Sequence, residues 1–188
     1  MKKGSTRDVI LHTASELFQR QGYHGTGLNQ IIEKSGAPKG SLYYHFPNGK
    51  EEIAIEAIKL MGQHILESAR EDLSEKDTAI EAFQHHVAKI ADVFDGKACV
   101  DGLQIGLIAS EMASSHESIR LVCKSAYEDW QALYTECLQR FDFETERAKE
   151  LAVVINSLLE GASILAQTNE SGWPLRAVAK QLPALLVH

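Results

Sequence analysis

Apolar residues recur at spacings of three and four along nearly the whole chain, and no stretch alternates strictly enough over enough residues to propose a strand. The period therefore fixes the class before any motif is considered: the chain reads as all-α. With 188 residues, 44% of them hydrophobic, it can bury a real core, as one domain of ordinary size or a small domain joined to a larger one.

Val9, Ile10, Thr13, Ala14, Leu17 and Phe18 form the stripe of a first helix that Gly22 can stop. Thr26 can cap a short second helix with Leu28, Ile31 and Ile32 inward, ended by Gly36. Pro38 stands where a third helix begins, and Phe46-Pro47-Asn48-Gly49 stops it. A longer fourth helix from Lys50 carries Ile53, Ala57, Met61 and Ile65, fades into the charged stretch Arg70 to Asp77, and joins head to body. A fifth holds Ile80, Phe83, Val87, Ile90 and Phe94, before a break around Asp95-Gly96 and Asp101-Gly102. A sixth spans about Leu103 to Ala113, and a seventh, near Glu117 to Phe141, repeats Ile119, Val122, Cys123, Ala126, Trp130, Leu133, Tyr134 and Cys137 at spacings of three and four. Two last helices, about Thr145 to Thr168 and Leu175 to Val187, are apolar over broad faces.

The net charge of −7 is unevenly spread. Residues 1 to 50 hold seven Lys or Arg against three acids, a net of +4, and the remainder carries −11. A basic head on an acidic body suits a phosphate-facing module attached to something else. Two short helices joined by Ser35-Gly36-Ala37-Pro38 fit the helix-turn-helix pattern, which offers its second helix to the major groove. In that helix Leu42 and Phe46, at i and i+4, are the anchors. Ser41, Tyr43, Tyr44 and His45 bring hydrogen-bonding groups, Lys39 and Lys50 bring charge, and Gly40 leaves room for a close backbone. Thr26 would place a hydroxyl and free amides at a helix N-terminus, a seat for a phosphate.

The run from Gly22-Tyr23 through Thr26, Ile31-Ile32, Gly36 and Lys39 to Phe46-Pro47 and Lys50-Glu51-Glu52 resembles the DNA-binding head of TetR-family repressors almost position by position. The resemblance implies an N-terminal three-helix DNA-binding head, a C-terminal helical ligand-binding and dimerisation body, and a homodimer closed by a four-helix bundle from the last two long helices. By that likeness Thr26, Lys39, Gly40, Tyr43, Tyr44, His45 and Lys50 occupy positions that commonly touch DNA, while Gly27 replaces a second small polar residue. The extra glycine in Pro47-Asn48-Gly49-Lys50, together with Gly106-Leu107-Ile108-Ala109-Ser110-Glu111 and Leu159-Glu160-Gly161-Ala162, resembles a drug- and flavonoid-responsive branch. Ala98 stands where that branch commonly has glycine.

The expected division is thus a DNA-binding domain at 1–49 and a ligand-binding and dimerisation domain at 50–188. The body's candidate effector residues are Phe83, Leu103, Leu107, Glu111, Trp130, Tyr134 and Asn156; Glu160 is a further polar group on an apolar face. Leu151, Val154, Ile155, Leu158, Leu165, Leu175, Val178, Leu182 and Leu185 are the residues an isologous dimer would bury. The adjacent His85-His86 point to different sides of a helix and no cysteine completes a site, so no metal and no cofactor are expected. No nucleophile, phosphate loop or metal spacing suggests an enzyme. Three cysteines without ligand spacing, and no run of eighteen apolar residues, point to the cytoplasm and to no membrane partner. Cys123 and Cys137 fall about 20 Å apart on one helix, too far to bridge.

Together with the resemblance, these features lead us to expect a repressor that binds double-stranded operator DNA, a pseudo-palindrome, as a dimer and is released by a small apolar or aromatic effector. The rivals are a helical small-molecule-binding protein without specific DNA binding and a redox sensor acting through Cys99.

Overall fold

The computed structural model describes residues 5–96 and 105–187, and every regular element among them is a helix. In chain order these are α1 (Thr6–Gln21), α2 (Leu28–Ser35), α3 (Lys39–His45), α4 (Lys50–Ser74), α5 (Ala79–Phe94), α6 (Ile105–Met112), α7 (Glu117–Arg140), α8 (Thr145–Thr168) and α9 (Trp173–Leu185). The all-helical expectation holds. Cys99, Leu103, Ala98 and the Asp101-Gly102 break lie outside the described residues.

Local chemistry accounts for most helix ends. Ser5 caps α1 in a reciprocal box, its hydroxyl accepting from the Asp8 amide at 3.2 Å while the Asp8 carboxylate accepts from the Ser5 amide at 3.0 Å. Gly22 ends α1 and Gly36 ends α2, both at positive φ (+73° and +64°) where a side chain is disfavoured. Two expectations shift by a residue. Pro38 is the cap before α3 and not its first residue. The cap of α2 is Gly27, because Thr26 turns its hydroxyl back to the Gly22 carbonyl at 2.8 Å and is fully buried. In α1 the buried arc is also rotated: Val9 is exposed, while Leu11 and Ser15 are inside, Ser15 satisfied by donating to the Leu11 carbonyl.

The contacts group the chain into two compact units, one within residues 1–64 and 101–126, the other within 65–100 and 127–188. This grouping follows packing and not the 49/50 division of roles, since the early turns of α4 bury Ile53, Ala54, Ala57, Ile58 and Met61.

In the first unit α1 packs on α2, α3 and α6. Arg7 lays its guanidinium 5.2 Å from the Phe46 ring centre and pairs with Glu56 at 3.2 Å, joining α1 to the end of α3 and to α4.

The second unit is built on α5 against α9, with α8 against both. Its core includes Phe83, Val87, Leu138, Leu151, Ile155, Leu175 and Leu182. α9 comes so close to the end of α5 that a Cβ on Gly172 would collide with the Ala91 carbonyl. Arg176 fastens that contact, reaching Asp92 at 2.8 Å and Asp95 at 2.6 Å. By length and composition alone α8 could cross a bilayer. One side of it nonetheless packs into this core through Leu151, Ile155, Leu159, Ala162 and Ala166.

Candidate nucleic-acid interface and helical body

The first unit presents α3 through apolar anchors. Leu42 and Phe46 are fully buried, as is Ile31 of α2, and Ala37 fills the turn between the two helices. The Ser35 hydroxyl accepts from the Ala37 amide at 3.3 Å and sets that turn. Anchored at i and i+4, α3 turns its other residues outward. Tyr44 is 82% exposed and Tyr43 44%, Lys39 and Gly40 are exposed, and Ser41 and His45 are half-buried. The Tyr44 and His45 rings meet edge to face at 5.1 Å. A Cβ on Gly40 would meet nothing, so the space beside it is open to a partner's backbone. The structure therefore brings Lys39, Gly40, Ser41, Tyr43, Tyr44 and His45 onto one short helix.

Two of the expected DNA residues sit differently. The Thr26 hydroxyl is buried and already bonded to Gly22, with Gln21 donating to it at 3.3 Å, so the side chain offers no open phosphate seat. Only the backbone amides after Gly27 remain for that purpose. Lys50 is half-buried, with its ammonium 4.1 Å from the centre of the Tyr23 ring. Burial holds its pKa below the usual lysine range, against the opposing pull of Glu111.

The expected effector residues do not form one set. Leu107, half-buried, and Glu111 belong to the first unit; Phe83, Trp130, Tyr134 and Asn156 belong to the second and are buried. Glu111 accepts from the amides of Tyr23 and His24. In the second unit the Phe83 and Tyr134 rings meet edge to face at 5.4 Å. The Tyr134 hydroxyl lies 3.1 Å from His86 Nε2, and His86 Nδ1 lies 2.9 Å from Asp72. Lys89 closes the chain of contacts at 2.7 Å from Asp72. Although burial opposes it, His86 and Lys89 hold the Asp72 carboxyl below the ordinary range. Sequence reading placed Asp72 only within the charged stretch Arg70 to Asp77 and gave no sign of this network. Glu160 is the opposite case: burial pushes its carboxyl up to about 7, with Tyr127 as a hydrogen-bond partner that offsets part of the effect.

The expected dimer residues divide by face. Leu151, Ile155, Leu175 and Leu182 are buried in the chain's own core, and Val178 and Leu185 pack against it. This is a correction: broad apolar faces on α8 and α9 serve the internal core on one side. Val154, Leu158 and Leu165 are exposed, joined along α8 by Val153 and Ile164 and at the start of α9 by Trp173, which sequence reading missed.

Among the described residues no group of His, Cys, Asp and Glu could hold a metal ion. Cys123 and Cys137 are buried on α7 and form no disulfide with each other, and burial pushes Cys137 up to about 11, far from the reactive thiolate.

Comparison with known proteins agrees with this geometry. Residues 10–57 match the model of bacterial regulatory proteins of the tetR family, and residues 79–181 that of the LmrA/YxaF-like transcriptional regulator C-terminal domain. The chain is 45% identical to the HTH-type transcriptional regulator YxaF of Bacillus subtilis, over 98% of this chain and 96% of that one. It is 40% identical to the HTH-type transcriptional regulator LmrA of the same organism, over 99% of each. Among solved structures a TetR transcriptional regulator from Legionella pneumophila shares the fold with a TM-score of 0.82 at 24% identity, covering 97% of this chain and 99% of that one.

Proposed function

The chain belongs to the TetR family of bacterial regulatory proteins, in its LmrA/YxaF-like branch, and from that premise we propose that it is a ligand-released repressor acting as a homodimer on a pseudo-palindromic operator. It is a DNA-binding transcription regulator and not an enzyme. The observation that carries the finer reading is α3 itself, anchored by Leu42 and Phe46 and turning Tyr43 and Tyr44 to solvent at the end of a basic segment. A helix so held suits a major groove, with Ser41, Tyr43, Tyr44 and His45 near base edges and phosphates and Lys39 and Lys50 adding charge. Thr26 takes part through the turn it pins, and Gly40 through the room it leaves.

The exposed apolar line of Val153, Val154, Leu158, Ile164 and Leu165 on α8 supports the dimer, since a two-fold partner would cover it. A dimer sets two copies of α3 about 34 to 36 Å apart, or a multiple of that, for successive turns of the groove. Head and body keep the roles assigned to 1–49 and 50–188. The buried aromatic and polar groups Phe83, Trp130, Tyr134 and Asn156 of the second unit suit a small apolar or aromatic effector. Such a compound releases DNA only by binding the DNA-incompetent state more tightly, and operator then weakens effector binding by the same factor. α4 contributes residues to both compact units and is the lever of this change. The site of action is the cytoplasm, with no membrane partner.

The experiment is a pull-down of genomic fragments, including the DNA beside the protein's own gene, at ~0.1 M salt, with a Tyr44→Ala, Lys50→Ala double variant as control. Enrichment of one pseudo-palindrome, lost in the control, is the expected result. No specific fragment would leave a helical small-molecule-binding protein in its place.

A further inference from the structure

The turn between α1 and α2 is held from outside the helix-turn-helix. Glu111, near the end of α6, accepts through a single oxygen, Oε2, from the backbone N–H of Tyr23 at 2.5 Å and from that of His24 at 3.2 Å. Gly22 makes the approach possible, since a Cβ there would collide with the carboxylate. The rest of the turn is pinned from within: Thr26 donates to the Gly22 carbonyl at 2.8 Å, and Gln21 donates to the Gly25 carbonyl at 2.7 Å and to Gln30 of α2 at 2.6 Å.

Other groups close around the same point, all in the first unit. The Tyr23 ring stacks on Phe18 at 5.9 Å, meets His116 at 5.9 Å, and carries the Lys50 ammonium on its face. Ser118 donates to Glu51, bringing the start of α7 to the start of α4. Glu111 is thus committed to main-chain donors, and the amide of the buried Tyr23 is the one that is costly to leave unpaired. α2 begins at Leu28, four residues after His24, and α1, from whose end the turn continues, packs on both α2 and α3.

We propose that Glu111 is a positioning residue for DNA binding: from α6, its carboxylate fixes the turn that aims α2 and α3, so operator affinity depends on an acidic side chain outside the DNA-reading helices. This rests on the operator-binding reading above. The sign of the effect separates it from plain electrostatics. Removing a negative charge near a DNA-binding surface should strengthen binding to a polyanion. Removing a positioning acceptor should weaken it.

The test uses the full chain as wild type, Glu111→Ala and Glu111→Gln, titrated at several salt concentrations with the genomic fragment that the wild type enriches. Glu111→Ala is expected to bind about tenfold more weakly with an unchanged salt slope, and Glu111→Gln, which keeps an oxygen acceptor, to stay within roughly threefold of wild type. A Glu111→Ala protein that binds as tightly as wild type, or more tightly, overturns the proposal while leaving the repressor reading intact. If the wild type enriches nothing, it is the repressor reading that fails. Should Glu111→Ala not fold, amide exchange in the wild type decides: Tyr23 and His24 protected well beyond the exposed Gly25 support the clasp, and unprotected ones refute it.

Discussion

The ammonium of Lys50 lies 4.1 Å from the centre of the Tyr23 ring, tying the first residue of α4 to the turn after α1. A cation over an aromatic face contributes about 0.5 to 1 kcal/mol when partly exposed. Lys50→Ala should therefore lower unfolding stability by about that much, and Tyr23→Leu combined with it should cost less than the sum of the two. Lys39→Ala, at an exposed position, should leave stability unchanged; each lysine variant should reduce operator affinity and lower the salt slope by about one. Urea unfolding and salt-dependent DNA titration check both halves. Additive Lys50 and Tyr23 effects would dissolve the pairing.

Tyr44 and Leu42 are two residues apart on α3 and should fail in different ways. Tyr44→Ala, at an 82% exposed site, should change stability by no more than about 0.5 kcal/mol and operator affinity on the order of tenfold. Leu42→Ala opens a cavity at a fully buried site and should cost about 2 to 5 kcal/mol. Thermal unfolding beside DNA titration separates them, and a stability loss in Tyr44→Ala would mean that the ring packs where it is taken to read.

Glu160 makes stability depend on pH. Its carboxyl is pushed up to about 7 by burial, above the ordinary 4.5, so between those values the folded state holds a proton that the unfolded state has released. Stability contributed by this group is present below 4.5, falls as pH rises toward 7 and is level beyond, with roughly 3 kcal/mol as the upper bound of the fall. Glu160→Gln should flatten the profile and be the more stable protein at pH 8. Identical profiles for the two proteins from pH 5 to 8 would mean that the carboxyl is solvated.

The outward face of α8 should govern assembly separately from folding. Leu158→Glu with Leu165→Glu, at two exposed positions, should keep the helical spectrum, sediment as a monomer and lose operator affinity. Leu151→Ala, in the core, should instead lower stability by about 2 to 5 kcal/mol. A double-Glu variant that remains dimeric would place the interface elsewhere.

Much of this was legible residue by residue. Gly22 and Gly36 end their helices at positive φ, a conformation that glycine adopts without strain and that needs no tertiary partner to be anticipated. Leu42 and Phe46 read as anchors because i and i+4 share a face in any helix. The same rule failed at Val9, because 100° per residue places a stripe only approximately, and packing buried Leu11 beside Ile10 and left Val9 outside. Thr26 was legible as a polar residue at a helix start, but the competition between capping α2 and bonding back to Gly22 was settled by the fold of the turn.

The sequence by itself determined that the chain is helical, that its basic end carries a helix-turn-helix, and which face of α3 is free, because all three follow from local spacing and composition. The tertiary structure alone decided which apolar residues of α8 and α9 fill the chain's own core and which remain outward. It alone paired Asp72 with His86 and turned Glu111 onto the amides of Tyr23 and His24. Those partners are separated by 14 and by 87 or more residues, and a spacing rule that reaches one or two helical turns carries no information about what a side chain meets across such distances.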